Sequence, residues 1–272
     1  MAVLRVALVQ VAYGDDEPVA ARRERVAALV AAQRGADLVV LPELWAPGGF
    51  ASRHWAERAE AVDGPTVRAI ADAARDIGAV VHAGSIIEAA AEGDAERGAQ
   101  GRGLWNTSVL LGPDGGVLAT YRKVHRFGFG AGEPLLLEAG EDVVTATLPL
   151  AGGVPTGLAT CYDLRFPELF RALLDAGSHL VLVPAAWPAA RVEQWSLLAR
   201  ARAVEDQVVV VAVNTAGTHA GLEMGGRSVV VDARGRVLAE AGTQEQVMVV
   251  EVDVADVSRF RAEFPVLADR RL

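Results

Sequence analysis

The chain reads as an α/β fold, and three observations lead there. Short apolar runs of strand character alternate with stretches of helical periodicity along the whole length. Some runs, such as LRVALVQV (4–11) and HLVLVP (179–184), are apolar almost without interruption, as strands buried on both faces are. Two segments also echo one another: GADLVVLPE (35–43) resembles GSHLVLVPA (177–185), and DGGVLA (114–119) resembles RGRVLA (234–239) within matching hairpins. Two explanations fit the echoes. Buried strands resemble one another by composition alone, or two similar sheets are related by a pseudo-two-fold, each covered by helices on one face.

The elements follow in order. After the strand at 4–11, a helix over 17–34 places Val19, Val26, Leu29 and Val30 on one face, and Gly35 ends it. DLVVLPEL (37–44) is the next strand. Pro65 opens and Gly78 closes a helix over 65–77. AVVHAGSIIE (79–88), LWNTSVLL (104–111) and GVLATYRK (116–123) are strands, the last two joined by a Gly-Pro-Asp-Gly-Gly turn at 112–116. The polar stretch 89–103 has no periodicity and is expected to be the least ordered loop. In the second half, VPTGLATCYD (154–163) is a strand, PELFRALLDAG (167–177) a helix and HLVLVP a buried strand. A helix over 191–206, the strand VVVVAVN (208–214), the hairpin SVVVDARGRVLAE (228–240) and the strand VMVVEVDV (247–254) follow, with a helical tail from Ala255.

Composition excludes several classes of function. The 272 residues carry 26 basic and 35 acidic side chains, a net charge of −9, so nucleic acid and anionic membranes are poor partners. Cys161 is the single cysteine, which rules out an intrachain disulfide or a CxxC pair. The five histidines are scattered without metal-ligand spacing, so no metal is expected. With no secretory leader pattern and no 18-residue apolar run, a soluble cytoplasmic protein is expected. No linker or charge run divides the chain, which is taken as one domain over 1–272.

Three residues stand out chemically. Cys161 follows an apolar strand and precedes Pro167, which is placed to open a helix. A side chain at such a turn sits near a helix N-terminus, where a thiolate is favoured, although a lone cysteine is also a common buried hydrophobe. Lys123 is the only lysine; every other basic residue is arginine. A lysine retained against that bias suits a compact point charge beside a small oxyanion, the alternative being an accidental surface residue. Glu43 ends LVVLPE, where a carboxylate is costly unless paired, or else is an ordinary surface acid. Together they make a plausible nucleophile, oxyanion stabiliser and base.

In these motifs the chain resembles the nitrilase superfamily of carbon–nitrogen hydrolases over nearly its whole length. LVVLPE with Glu43, YRKVH with Lys123 and CYDLRFPEL with Cys161 come in the family's order. WPxxR…W…ARAxExQ (187–207) and GRSVVVDARGRVLAEAG match as well. The resemblance implies an αββα sandwich of two mixed sheets, usually paired into αββααββα homodimers, and catalysis without metal or organic cofactor. It implies Glu43 as general base, Lys123 as stabiliser of the tetrahedral intermediate and Cys161 as the thioester-forming nucleophile. Glu133 in GAGEPLLLEAG corresponds to a second glutamate, and the Tyr162 amide to a second oxyanion donor.

CYDLRFPE, WPAAR (187–191) and the terminal FRAEFPVLADRR look like the branch of omega-amidases and deaminated-glutathione amidases, which cleave the terminal amide of a small carboxylated substrate. Arg165 is a candidate grip for that carboxylate, or a structural partner of Glu168 or another acid. Trp187 and Tyr162 are candidate pocket residues, Phe166 is a further aromatic there, and His125 reads as a local hydrogen-bonding residue. Two features depart from the pattern: Gln194 before Trp195, and Arg126-Phe127-Gly128 beside the expected pocket. GFGAG (128–132) neither follows a strand nor opens a clear helix, so a dinucleotide site is rejected. The alternatives are an N-carbamoyl-amino-acid hydrolase and a non-catalytic binding protein on the same fold.

Overall fold

A computed structural model describes residues 3–90, 98–150 and 152–271. The first half runs β1 (Val3–Gln10), α1 (Val19–Ala31), β2 (Leu38–Val40), α2 (Pro65–Ile77), β3 (Val80–Ala89), β4 (Leu104–Leu111), β5 (Val117–Arg122), α3 (Glu133–Leu136) and β6 (Thr145–Leu148). The second runs β7 (Val154–Leu158), α4 (Pro167–Asp175), β8 (Leu180–Ala185), α5 (Val192–Asp206), β9 (Val209–Asn214) and the small hairpin β10 (Thr218–His219) and β11 (Leu222–Glu223). It closes with β12 (Val229–Val231), β13 (Val237–Glu240), β14 (Gln246–Asp253) and α6 (Ala255–Glu263).

Two six-stranded mixed sheets result, ordered β14-β1-β2-β3-β4-β5 and β13-β12-β9-β8-β7-β6. Their pairing directions match: in each, the parallel run β1-β2-β3 or β7-β8-β9 is flanked by antiparallel strands. The registers match too, Val6 pairing with Leu38 as Thr156 pairs with Leu180. Both sequence echoes fall on equivalent elements, the first on β2 and β8, the second on the β4–β5 and β12–β13 turns. The duplicated reading of the echoes is therefore the correct one. Each half also sends its last strand to the other's sheet, β6 pairing with β7 and β14 with β1.

Alternate residues explain the near-continuous apolar strands. Val6, Leu8, Leu38 and Val40 face the second sheet, whereas Ala7, Val9, Val39 and Leu41 pack with Val26 and Val30 of α1 and Ile70 and Ala74 of α2. Leu169, Phe170 and Leu173 of α4 and Trp195, Ala199 and Ala203 of α5 cover the other sheet, completing an αββα sandwich.

Several boundaries differ from expectation, and the strands that carry function are the ones cut short. The strand expected over 37–44 keeps ladder pairing only at Leu38–Val40, because Pro42 has no N–H to donate. The strand expected over 154–163 ends at Leu158, and Cys161–Arg165 form a 3-10 turn. The helix expected over 17–34 spans Val19–Ala31. Neither α3, β6 nor the β10–β11 hairpin was signalled by periodicity. Of the loop expected at 89–103, residues 91–97 lie outside the described residues. Ala89 still belongs to β3, and the Gln100 and Arg102 amides donate to the buried Glu138. Among the described residues no helix is long and apolar enough to cross a membrane.

Candidate active site

Strand ends converge at one edge of the sandwich. Glu43 follows β2 after Pro42, Lys123 directly follows β5, and Cys161 opens the turn behind β7. Cys161 (φ 48°) and Leu44 next to Glu43 (φ 44°) both hold left-handed backbone, a strain of about 1 kcal/mol or more apiece that turns the chain sharply at the site. Fully buried Asp163 fixes the cysteine turn. It accepts the Thr160 amide at 2.8 Å, the Tyr121 hydroxyl at 2.8 Å and the His125 amide at 3.0 Å, and lies 2.8 Å from His125 Nδ1. The Cys161 turn is thereby tied to the segment carrying Lys123. His125 is the local hydrogen-bonding residue expected, its ring stacked flat on Phe166 at 3.7 Å.

The charged centre is buried. Lys123 Nζ donates to Glu43 Oε1 at 2.7 Å and lies 3.0 Å from Glu133 Oε2, all three side chains being 2–5% exposed. Asn106 Nδ2 donates to both carboxylates, at 2.8 Å to Glu43 Oε1 and 2.7 Å to Glu133 Oε1. The Ala186 amide donates to Glu43 Oε2 at 2.9 Å, and the Phe127 amide to Glu133 Oε2. Burial alone would push Lys123 toward neutrality, but Glu133 and Glu43 outweigh it and hold its pKa well above the usual value. Glu133 is raised, chiefly by burial, with Lys123 pulling it back. Burial, then the charge of Glu43, lifts the Cys161 thiol well above its ordinary range, Lys123 opposing. At neutral pH the thiol therefore keeps its proton, with the Glu43 carboxylate close enough to disfavour the thiolate.

A cavity of about 330 Å³ opens onto this centre, lined at its base by Glu43, Lys123, Glu133 and Cys161. Its walls include Phe50, Trp55, Phe127, Phe129, Tyr162 and Trp187, and Arg165 and Arg191 reach into it. Seven of the residues singled out from sequence, Glu43, Lys123, Glu133, Cys161, Tyr162, Arg165 and Trp187, thus line one cavity; Phe166, also expected there, is not among its lining residues and packs on His125 instead. Arg165 has no acid partner among the described residues. Its Nη2 donates to Gln194 Oε1 at 2.6 Å and its guanidinium lies 4.7 Å from the Trp187 ring centroid, so the pair with Glu168 is not made. Gln194, a departure from the family pattern, holds the arginine in place. Arg126 turns away, donating to Gln100 and the Leu137 carbonyl, whereas Phe127 and Gly128 border the cavity. Sequence reasoning missed Asn106, Asp163, Phe50 and Arg191. Arg191 and Asp163 lay in motifs already noted, WPAAR and CYDLRFPEL, without being singled out. Among the described residues, no three or more His, Cys, Asp or Glu side chains are grouped to hold a metal ion.

Residues 5–262 match the carbon-nitrogen hydrolase family model. The chain belongs to that family. This carbon–nitrogen hydrolase is 42% identical over 270 residues to a 2-oxoglutaramate amidase of Paenarthrobacter nicotinovorans, covering 98% of this chain and 90% of the relative. It is 32% identical to the omega-amidase NIT2 of Homo sapiens, covering 89% and 85%. Among solved structures it superposes with a TM-score of 0.87 and 34% identity on XC1258 from Xanthomonas campestris, a CN-hydrolase superfamily protein with an arsenic adduct in its active site. That match covers 100% of this chain and 98% of the other.

Proposed function

We propose that this carbon–nitrogen hydrolase is a thiol amidase of omega-amidase type, releasing ammonia from the terminal amide of a small carboxylated substrate. One observation carries the reading: a buried thiol shares one cavity with a carboxylate and with a lysine held between two acids, and the same aromatic cavity bears two arginines without acid partners among the described residues. Glu43 removes the Cys161 proton as sulfur attacks the amide carbonyl carbon. Lys123 and the Tyr162 amide hold the resulting oxyanion, the lysine as a compact charge already desolvated. The tetrahedral intermediate collapses, the C–N bond breaks, and ammonia leaves with the proton returned by Glu43. Glu43 then takes a proton from water, whose oxygen attacks the thioester; the acid departs and Cys161 regains its proton. Glu133 orients Lys123 throughout.

Substrate selection follows from the far wall. Arg165, braced by Gln194 and stacked on Trp187, and Arg191 offer guanidinium donors to a carboxylate, while the aromatic walls hold a short methylene chain. The relatives named for 2-oxoglutaramate and omega-amides support this choice over an N-carbamoyl amino acid. We take 1–272 as one domain working in the cytoplasm as a homodimer on small amides, without metal or organic cofactor, nucleic acid or membrane. The core shared by both sheets supports the single domain, and the net charge of −9 supports leaving out nucleic acid and anionic membranes.

Ammonia release from three substrates tests the reading: a short keto-acid omega-amide, an uncharged amide of equal length, and an N-carbamoyl amino acid. The omega-amide is expected to be preferred, Cys161→Ser to abolish turnover, and Arg165→Met to raise KM for the omega-amide alone. Preference for the carbamoyl compound, or turnover by Cys161→Ser, would overturn it.

A further inference from the structure

Asn106 stands on β4 and is buried, and its side-chain nitrogen bonds both carboxylates of the site. Its main-chain carbonyl accepts the Lys123 amide at 2.9 Å, so one residue fixes the lysine's backbone and both of the lysine's partners. Its Oδ1 is buried without a partner among the described residues. An orphaned carbonyl is a standing cost, which an apolar side chain of the same shape would avoid. The fold therefore gains nothing from this amide beyond what its two N–H groups do.

The oxygen atoms show what they do. Glu43 Oε1 accepts from both Lys123 and Asn106, which occupies its lone pairs; Oε2 accepts the Ala186 amide and has a second lone pair with which to receive the thiol proton. Glu133 Oε1 is held by the same amide. Without it, each carboxylate keeps a main-chain donor on Oε2, but the two like charges compete for one ammonium through Oε atoms that nothing else ties together.

We propose that Asn106 is a positioning residue. It saturates the Oε1 atoms of Glu43 and Glu133 together, so that the two acids share Lys123 and Glu43 presents Oε2 to the thiol proton. This rests on Glu43 as the base. The groups facing Glu43 are Lys123 beyond β5, Glu133 on α3, Cys161 beyond β7, and Tyr13, whose ionisation Glu43 opposes, beyond β1. A carboxylate that loses a hydrogen-bond donor loses part of what favours its charged form.

The test is the pH profile of kcat/KM for Asn106→Leu and the nearly isosteric Asn106→Asp, with Glu43→Gln alongside. For both Asn106 variants kcat falls at least about tenfold with KM within about threefold, and the acidic limb moves up by about one pH unit, the size of one charge-assisted hydrogen bond. If Asn106→Leu does not fold, Asn106→Asp carries the test. A profile that keeps its wild-type limb while the rate drops uniformly, or a kcat within about twofold of wild type, overturns the proposal. Failure of the underlying reading looks different: Glu43→Gln would then keep its rate, whatever the Asn106 variants do.

Discussion

Lys123→Met removes the cation from the charged centre while keeping most of its volume. Nζ lies 2.7 Å from Glu43 and 3.0 Å from Glu133. At an effective dielectric of about 20, attraction over those distances is about 6 and about 5.5 kcal/mol, set against several kcal/mol of desolvation for each ion. The intact trio is thus worth little net. Breaking it is expensive, because an unpaired buried charge costs roughly 3–5 kcal/mol, or roughly 10 °C in Tm for a chain of this size. The pH dependence gives the sharper test. Lys123 has a raised folded pKa, so its contribution is complete below the ordinary lysine range and is lost only as pH climbs above it. Between pH 5 and 8 the wild type loses nothing from that residue. In the variant, Glu133, already raised by burial, loses the charge that pulled it back, and Glu43 loses its cation as well. The folded variant then holds protons that the unfolded chain releases above a pH of about 4.3, so its stability falls as pH rises. Thermal or urea unfolding of both proteins between pH 5 and 8 reads the effect. A Tm gap that stays constant over that range would refute the charge argument.

Gly84 has φ +72°, and a Cβ there would lie 2.0 Å from the Pro42 carbonyl oxygen. Gly84→Ala therefore displaces the residue before Glu43; a loss of about 2 kcal/mol or more and a fall in kcat are expected, and a variant with wild-type Tm and rate would contradict it. Because Cys161 is the only cysteine, thiolate absorbance measured against Cys161→Ser reports one group. Burial and Glu43 hold that thiol up, so no thiolate forms at pH 7 and Glu43→Gln shifts its appearance to lower pH. A wild-type thiolate at pH 7 would show that the nucleophile needs no base.

Local signals were legible where the responsible residues are neighbours in sequence. Pro65 and Gly78 bound α2, and the glycines at 112–116 close the β4–β5 turn through Gly112 N to Gly116 O at 2.7 Å. Cys161 and Lys123 were legible because each is unique in composition, and Glu43 because a buried strand rarely ends on an acid. Asn106 and Asp163 were not. Within LWNTSVLL an asparagine looks like an ordinary polar position, and its partners lie 63 and 27 residues away. Asp163 gains its role from Tyr121 and His125, on a segment roughly forty residues earlier. The early ends of β2 and β7 escaped for a related reason: hydrophobic character continues through Leu41 and Ala159 after ladder pairing has stopped.

The duplication explains why the echoes lay in the scaffold and the chemistry did not repeat. The register places Gln10 where Thr160 stands, and so Val11 where Cys161 stands. The same frame sets Glu43 against Ala185, and the hairpins set Asn106 against Gly226 and Lys123 against Thr243. Each of these four residues has a counterpart without that chemistry. The supporting serines were retained: Ser108 Oγ lies 2.8 Å from Thr160 Oγ1, and Ser228 Oγ donates to Gln10 Oε1 at 2.8 Å. Both serines are fully buried, so replacing either by alanine should cost about 1–3 kcal/mol and lower Tm by several degrees. Their effects on activity should part company. Ser108→Ala loosens the residue that precedes Cys161, and kcat should fall about tenfold if the sulfur moves by a few tenths of an ångström. Ser228→Ala loosens the residue before Val11, where no chemistry occurs, and kcat should stay near wild type at a temperature where both variants are folded. Equal losses of kcat at equal losses of Tm would mean that the two halves are coupled through general stability, and that the retained serine beside Cys161 has no special part in aiming it.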